Sequence, residues 1–270
     1  MKRFFTFIFL ILSGFISIEA QTFSHILALR QNIEVLYRKP SKKELKSVAP
    51  KSELFERYAE FLRGQNTGLT KLISDSGCAD NTKIIVATEE CLKYTMPGAG
   101  SSYSFRTGNY RIPRLSDVLF TDNSFQASGV LLHGIFVNIG DVALDKITLN
   151  TDGLDFLVNF QPEVDYEKAK EIDLILKEGI RDGKFLYRRG LYVVENTTFV
   201  LRSIAYAGKY LRAVSSVTYN EFAFDKRRDV IVAFRIVDKD DAGNVTILWK
   251  MLANTKSPRV KKPQNEYSEK

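Results

Sequence analysis

The sharpest pattern of apolar and polar positions runs from Asp229 to Leu252, where the side chains repeat with a period of two on either side of an acidic turn. Val230, Val232, Phe234 and Ile236 alternate with Ile231, Ala233, Arg235 and Val237. After Asp238 to Asn244, Val245, Ile247, Trp249 and Met251 alternate with Thr246, Leu248, Lys250 and Leu252. Such alternation sends successive side chains to opposite faces of a pleated strand, so the stretch predicts a two-stranded ribbon with one wholly apolar face. The two apolar sets coincide only if paired residue numbers sum to an odd value, as with Asp238 opposite Val245. The second face still carries Ile231, Val237, Leu248 and Leu252, so it also needs cover from a helix or another sheet.

The rest of the chain changes period. Ile26, Leu29, Ile33 and Leu36 recur at helical spacing up to Pro40. Ser41 with Glu44 has the form of a capping box, and Leu54, Tyr58, Phe61 and Leu62 make a helical stripe ending at Gly64. Leu69 to Ile73 and Lys83 to Ala87 predict short strands, Thr88 to Tyr94 a helical turn, and Pro97 to Ser102 a loop. Gly129 to Leu149 and Leu154 to Phe160 are strand-like, with bends at Gly134 and Gly140. Asp165 to Ile180 predicts a helix that covers the sheet with Ala169, Ile172, Ile175, Leu176 and Ile180, ending at Gly183. Lys184 to Val194, Thr198 to Tyr206, Tyr210 to Val214 and Val217 to Phe224 predict further antiparallel strands, and Asp225 to Asp229 a solvated charged turn.

The fold class is therefore α+β: an N-terminal helical region over 21–97 with a disulfide-pinned segment, then over 98–254 a mainly antiparallel sheet or partly closed barrel covered by helix 165–180. A flexible basic tail is expected over 255–270.

Residues 1–20 have the form of a signal peptide: Lys2 and Arg3, the apolar run Phe4 to Leu12, and small residues ending at Ala20. Export, to a periplasm or outside the cell, is the expectation, with no transmembrane segment once the signal is removed. In an exported chain the two cysteines, Cys78 and Cys91, are expected to pair, which would stabilise by about 3 kcal/mol in the chain-entropy model. The chain has 39 Lys plus Arg against 32 Asp plus Glu; removing Lys2, Arg3 and Glu19 leaves +6. That surplus favours an anionic polymer, or another envelope or extracellular protein, and an exported protein is not expected to read nucleic acid.

Tyr103, Arg106, Tyr110, Arg111 and Arg114 interleave aromatic and basic side chains, as a stacking surface for a glycan or polyanion would. The competing reading is a set of strands with the aromatics inward and Arg outward. Motifs for chemistry are thin. His133, with Ser101 or Ser102 before it and Asp141 or Asp145 after it, is a conceivable triad without a Gly-x-Ser-x-Gly elbow. Asp238 to Asn244 lacks oxygen ligands where a calcium loop needs them, at Ala242 and Trp249, and reads as a turn. Arg202 and Arg235 each interrupt an apolar strand, either pairing with a carboxylate at a pocket rim or reaching to the surface. No cofactor or metal is expected. The reading favoured is a non-catalytic binding module for a protein, an envelope polymer or a small ligand; the alternatives are a secreted hydrolase of unknown class and a carrier of an apolar ligand.

Overall fold

In the computed structural model the chain is described over residues 33–75, 99–214 and 217–261. The expected signal peptide, the cysteine pair, the strand at 83–87, the turn at 88–94 and residues 262–270 lie outside the described residues.

Residues 33–37 are helical and are followed by three short helices, α1 (Lys42–Ser47), α2 (Ser52–Arg57) and α3 (Ala59–Leu62). The capping box forms as expected: Ser41 Oγ accepts from the Glu44 N–H, and the Glu44 carboxylate accepts from the Ser41 N–H. Fourteen strands follow: β1 (Thr67–Leu72), β2 (Ser102–Ser104), β3 (Asn109–Tyr110), β4 (Val118–Thr121), β5 (Ser124–Ala127), β6 (Leu132–Asn138), β7 (Ile180–Asp182), β8 (Phe185–Tyr187), β9 (Gly190–Tyr192), β10 (Thr198–Ala205), β11 (Leu211–Val214), β12 (Val217–Asn220), β13 (Arg228–Lys239) and β14 (Val245–Lys256). Helices α4 (Asp155–Asn159) and α5 (Tyr166–Glu178) lie between β6 and β7.

The main sheet has the order β1-β14-β13-β10-β6 and is antiparallel throughout. Its edges are β1 and β6, so it is open rather than closed into a barrel among the described residues. A second five-stranded sheet, β3-β2-β4-β5-β9, packs on one face. There Val230, Val232, Phe234 and Ile236 of β13 meet Phe105, Val118, Phe120 and Phe125, with the Phe125 and Phe234 rings 4.9 Å apart. The opposite face carries Val200, Ile231, Ala233 and Leu248 and is covered by Leu157 of α4, Leu176 of α5 and the apolar side chains of α3. Every residue of β10 is buried as a result. The molecule is three layers deep, sheet on sheet on helices.

The ribbon forms with Phe234 opposite Trp249, and the odd-sum register holds from Val232 to Ile236. Bulges at Val237 and Leu252 shift it outside that stretch, so Asp238 faces Thr246 rather than Val245. The Trp249 indole N–H donates to Thr70 Oγ1 at 3.0 Å, which ties the ribbon to β1. Because β1 is a strand of the main sheet, the expected boundary near residue 97 cuts through one packed unit.

Other expectations need correcting. Leu154 to Phe160 is helical: the apolar run is short enough to fit either state, and burial of Leu154 and Leu157, three apart, selects the helix. Only 132–138 of Gly129 to Leu149 is a strand. At Gly134 a Cβ would lie 2.1 Å from the Ala127 Cβ, so the glycine marks a close approach of the two sheets rather than a bend. Lys184 to Val194 is two strands, because the chain changes partners at Arg188 and Arg189: Phe136 N–H donates to Arg188 O at 2.7 Å and Ala127 N–H to Arg189 O at 2.8 Å. α5 stops at Gly179, whose φ of 105° suits glycine, four residues before Gly183. Its Ile175 is 53% exposed instead of packed. The tail expected to be free from 255 is held as far as Lys261: Ala207 N–H donates to Pro258 O and Lys261 N–H to Val164 O, both at 2.7 Å.

Candidate functional site

A cavity of about 460 Å³ opens between α5, the start of β6 and the strap of chain at 257–261. Leu131, Leu132, Ala169, Leu174 and Val260 supply apolar wall, and Tyr166 and Tyr206 aromatic wall. Its polar groups are His133, Lys170, Asp173 and Arg189. The volume lies in the range of small-molecule sites, and so does the mix of apolar wall with a few polar groups.

His133 is 4% exposed, and both ring nitrogens are committed. Nε2 lies 2.8 Å from Ala169 O, which can only accept, so Nε2 carries the proton. Nδ1 then accepts from the Tyr206 hydroxyl at 3.2 Å, with the rings edge to face at 5.1 Å. Burial lowers the His133 pKa, outweighing the opposing pull of Asp173 and of the Ala169 hydrogen bond; burial likewise raises that of Tyr206. The pair is neutral and latches α5 to the sheet. None of Ser101, Ser102, Asp141 or Asp145 is a partner of His133. Ser101 is buried next to β2 and Ser102 within it, and Asp141 pairs with Arg235, so the triad that was only conceivable from the sequence is not assembled. Beside the latch, Arg189 Nη1 donates to Asp173 Oδ2, while Asp173 Oδ1 is sealed from solvent without a partner among the described residues.

An ionic lattice holds the cavity wall. Arg227 donates from Nε to Tyr206 O at 2.9 Å and from Nη2 to Val130 O and Leu131 O, both at 2.7 Å; its Nη1 meets Asp225 at 2.8 Å. Leu131 has φ of 45°, a left-handed conformation that costs a branched side chain about 1–2 kcal/mol, and these bonds hold it there. Arg227 is in turn packed 4.0 Å over the Phe222 ring. Burial, and then the neighbouring Arg106 charge, bring its pKa down to about 10, so it remains a cation at neutral pH.

Arg106 completes the lattice. Its side chain and those of Asp117 and Asp225 have no exposed surface. Its guanidinium donates to Asp117, to Asp225 at 2.9 Å, to Leu115 O and Lys226 O at 3.2 Å, and at the 3.5 Å limit to Ser116 O, so all its N–H groups face acceptors. Ser203 of β10 donates to Asp117, joining the two sheets through a polar contact.

The expected binding surface over Tyr103 to Arg114 is therefore not an exposed patch. Tyr103 and Tyr110 are each 6% exposed, Arg106 3% and Arg111 7%. The tyrosine rings meet edge to face at 5.3 Å inside the sheet-on-sheet core. The arginines turn inward as well, because buried acceptors await them: Asp117 and Asp225 for Arg106, and Phe224 O at 2.5 Å for Arg111. Arg114 grips Glu221 with two bonds, at 2.8 and 2.7 Å. The turn at 225–229 is solvated only in part: Lys226 is exposed, but Asp225 and Arg227 belong to the lattice and Asp229 pairs bidentately with Arg202. Arg202 lies away from both clefts, donating also to Leu157 O and Phe160 O at the end of α4.

A second, wider cleft of about 1050 Å³ lies between α2, α3 and the loop 141–146, floored by Arg235, Ile236, Val237 and Leu248. Here Arg235 does pair with a rim carboxylate, Asp141, at 2.6 Å. Asp240 in the ribbon turn accepts from Ala242 N–H, Asn244 N–H and Lys71, so protein donors occupy the oxygens a calcium ion would need. No group of three or more His, Cys, Asp or Glu among the described residues could hold a metal ion, and no described helix is long and apolar enough to cross a membrane.

His133 carried a sequence signal, being one of two histidines, but Asp173 and Arg189 read as ordinary helix-surface and strand charges. No family model matches the chain, and comparison with curated proteins and with solved structures found no match.

Proposed function

We propose that this is an exported, non-catalytic binding module whose ligand is a small, largely apolar molecule held in the 460 Å³ cavity. The observation that carries the reading is the state of His133. The largely apolar cavity contains one histidine, and both its nitrogens are already spent on Ala169 and Tyr206. A general base needs a free nitrogen within reach of substrate, and this one serves as a latch. The N-terminal targeting pattern and the mixed apolar and aromatic wall agree with a binding role outside the cytoplasm.

Titration with the neutral dye Nile red tests the reading. The folded protein should bind it saturably at one site, and Ala169→Phe, which fills the cavity, should abolish that site while circular dichroism stays native. Dye binding that is non-saturable, or that persists in Ala169→Phe, would remove the cavity as the ligand site.

A further inference from the structure

We infer that the ligand of this cavity is a single-chain amphiphile with an anionic head, a carboxylate or a phosphate, read by Arg189; this rests on the binding reading above. The apolar wall takes the chain. Leu174 is 64% exposed and lines the cavity, and Ile175 beside it is 53% exposed, so apolar surface continues from the mouth onto the outer face of α5. A ligand with only a polar body would leave this surface in water.

The polar groups decide the sign of the head. His133 is a neutral imidazole with no spare nitrogen, which leaves Asp173, Arg189 and Lys170. Of the Arg189 side-chain donors only Nη1 is engaged by a described residue, on Asp173, and the side chain is 31% exposed. The remaining edge of the guanidinium presents parallel N–H donors, the geometry that suits a carboxylate or phosphate. A cationic head finds no open carboxylate oxygen among the described residues that line the cavity. Asp173 Oδ2 is held by Arg189, and Oδ1 is closed off from solvent. Lys170 is engaged by Glu167 at 3.3 Å and lies 4.2 Å over the Tyr166 ring, so the head is assigned to Arg189.

Three probes of one chain length, dodecanoate, dodecyl phosphate and dodecanol, with dodecylamine as the cationic control, separate the claims when titrated calorimetrically below their micellar concentrations. The expected order is either anion tighter than dodecanol by about tenfold or more, the size of one charged hydrogen bond, with dodecylamine weakest. Whichever anion binds tighter identifies the head. The Asp173→Asn/Arg189→Gln double variant replaces the ion pair by neutral amides without leaving one charge unpaired, and should bring the anions down to dodecanol. Asp173→Asn alone releases Arg189 and should tighten anion binding by about threefold to tenfold, a change that damage to the fold would not produce. Equal binding of anions, alcohol and amine would overturn the charge inference and leave the apolar cavity standing. Failure of all four probes to bind, with Nile red also unbound, would take down the cavity reading itself.

Discussion

Two parts of the interior are buried to the same depth but built from opposite chemistry. In the β13–β14 ribbon, Phe234, Ile247 and Trp249 exclude water by apolar contact. In the lattice of Arg106, Asp117, Asp225 and Arg227, guanidinium and carboxylate groups are equally enclosed and are held by one another, Asp225 Oδ2 taking both guanidinium groups while its Oδ1 has no partner among the described residues. An apolar core tolerates a change of shape in proportion to the volume lost. A buried ionic cluster responds out of proportion to the atoms changed, since removing one charge strands the next.

The largest effect should come from a substitution that alters almost no volume. Asp117→Asn keeps the shape but withdraws the charge facing Arg106 and weakens the acceptor for Ser203, two contacts made within and between the sheets. Breaking a buried pair in this way costs about 3–5 kcal/mol, measurable as a lowered urea midpoint. A loss below about 1 kcal/mol would show that the lattice does not govern stability, and the contrast with the ribbon would fail.

Arg227→Lys sharpens the comparison by keeping the charge and removing the fork. Lysine can still face Asp225 but cannot reach Tyr206 O, Val130 O and Leu131 O together. A loss of about 2 kcal/mol is expected, with weaker Nile red binding, because Leu131 and Tyr206 line the cavity. If stability falls and dye affinity does not, Arg227 supports the core without positioning the site. In the ribbon, Ile247→Val should cost only about 0.5–1.5 kcal/mol with an unchanged urea slope, since one methyl leaves a fully buried but apolar position.

The same contrast explains what could be read from the sequence. The ribbon was legible down to its central register because strand alternation is local: each residue between Val230 and Ile236 declares its face through its neighbours. The two bulges were not, since a bulge is set by what the strand packs on. The lattice was invisible. Arg106 and Asp225 are 119 residues apart, and Arg, Asp and Lys in a row are the ordinary composition of a solvated turn. For the same reason Tyr103, Tyr110 and the arginines near them suggested a surface. Alternation with aromatics marked the strands, but nothing local announced that buried carboxylates from the residue before β4 and from the 225–229 turn would meet the basic side chains. The cavity was half legible. His133 stood out by rarity, whereas Asp173, Arg189 and Tyr206 converge on it only through the strand switch at 188–189 and the path of the chain beyond β10.

The smallest effect expected belongs to the turn that closes the ribbon, where a carboxylate works at the surface rather than in the core. Burial alone would raise the Asp240 pKa, but hydrogen bonds from Lys71 and Asn244 outweigh it and bring it from 3.8 to about 2. A carboxylate depressed on folding binds fewer protons in the folded chain than in the unfolded one. Its contribution is therefore complete above the ordinary aspartate range and is lost as pH falls from about 4 toward about 2. Asp240 keeps 23% of its side-chain surface, as Lys71 keeps 24%, so screening limits the contribution to about 0.5–1 kcal/mol. Asp240→Asn should lower stability by that amount at neutral pH and by less at pH 2, so that the two stability curves converge on acidification. Parallel curves would mean that the loop is held by its backbone geometry, with Gly243 and the Asn244 side chain sufficient, and that the charge on Asp240 has no part in closing the ribbon.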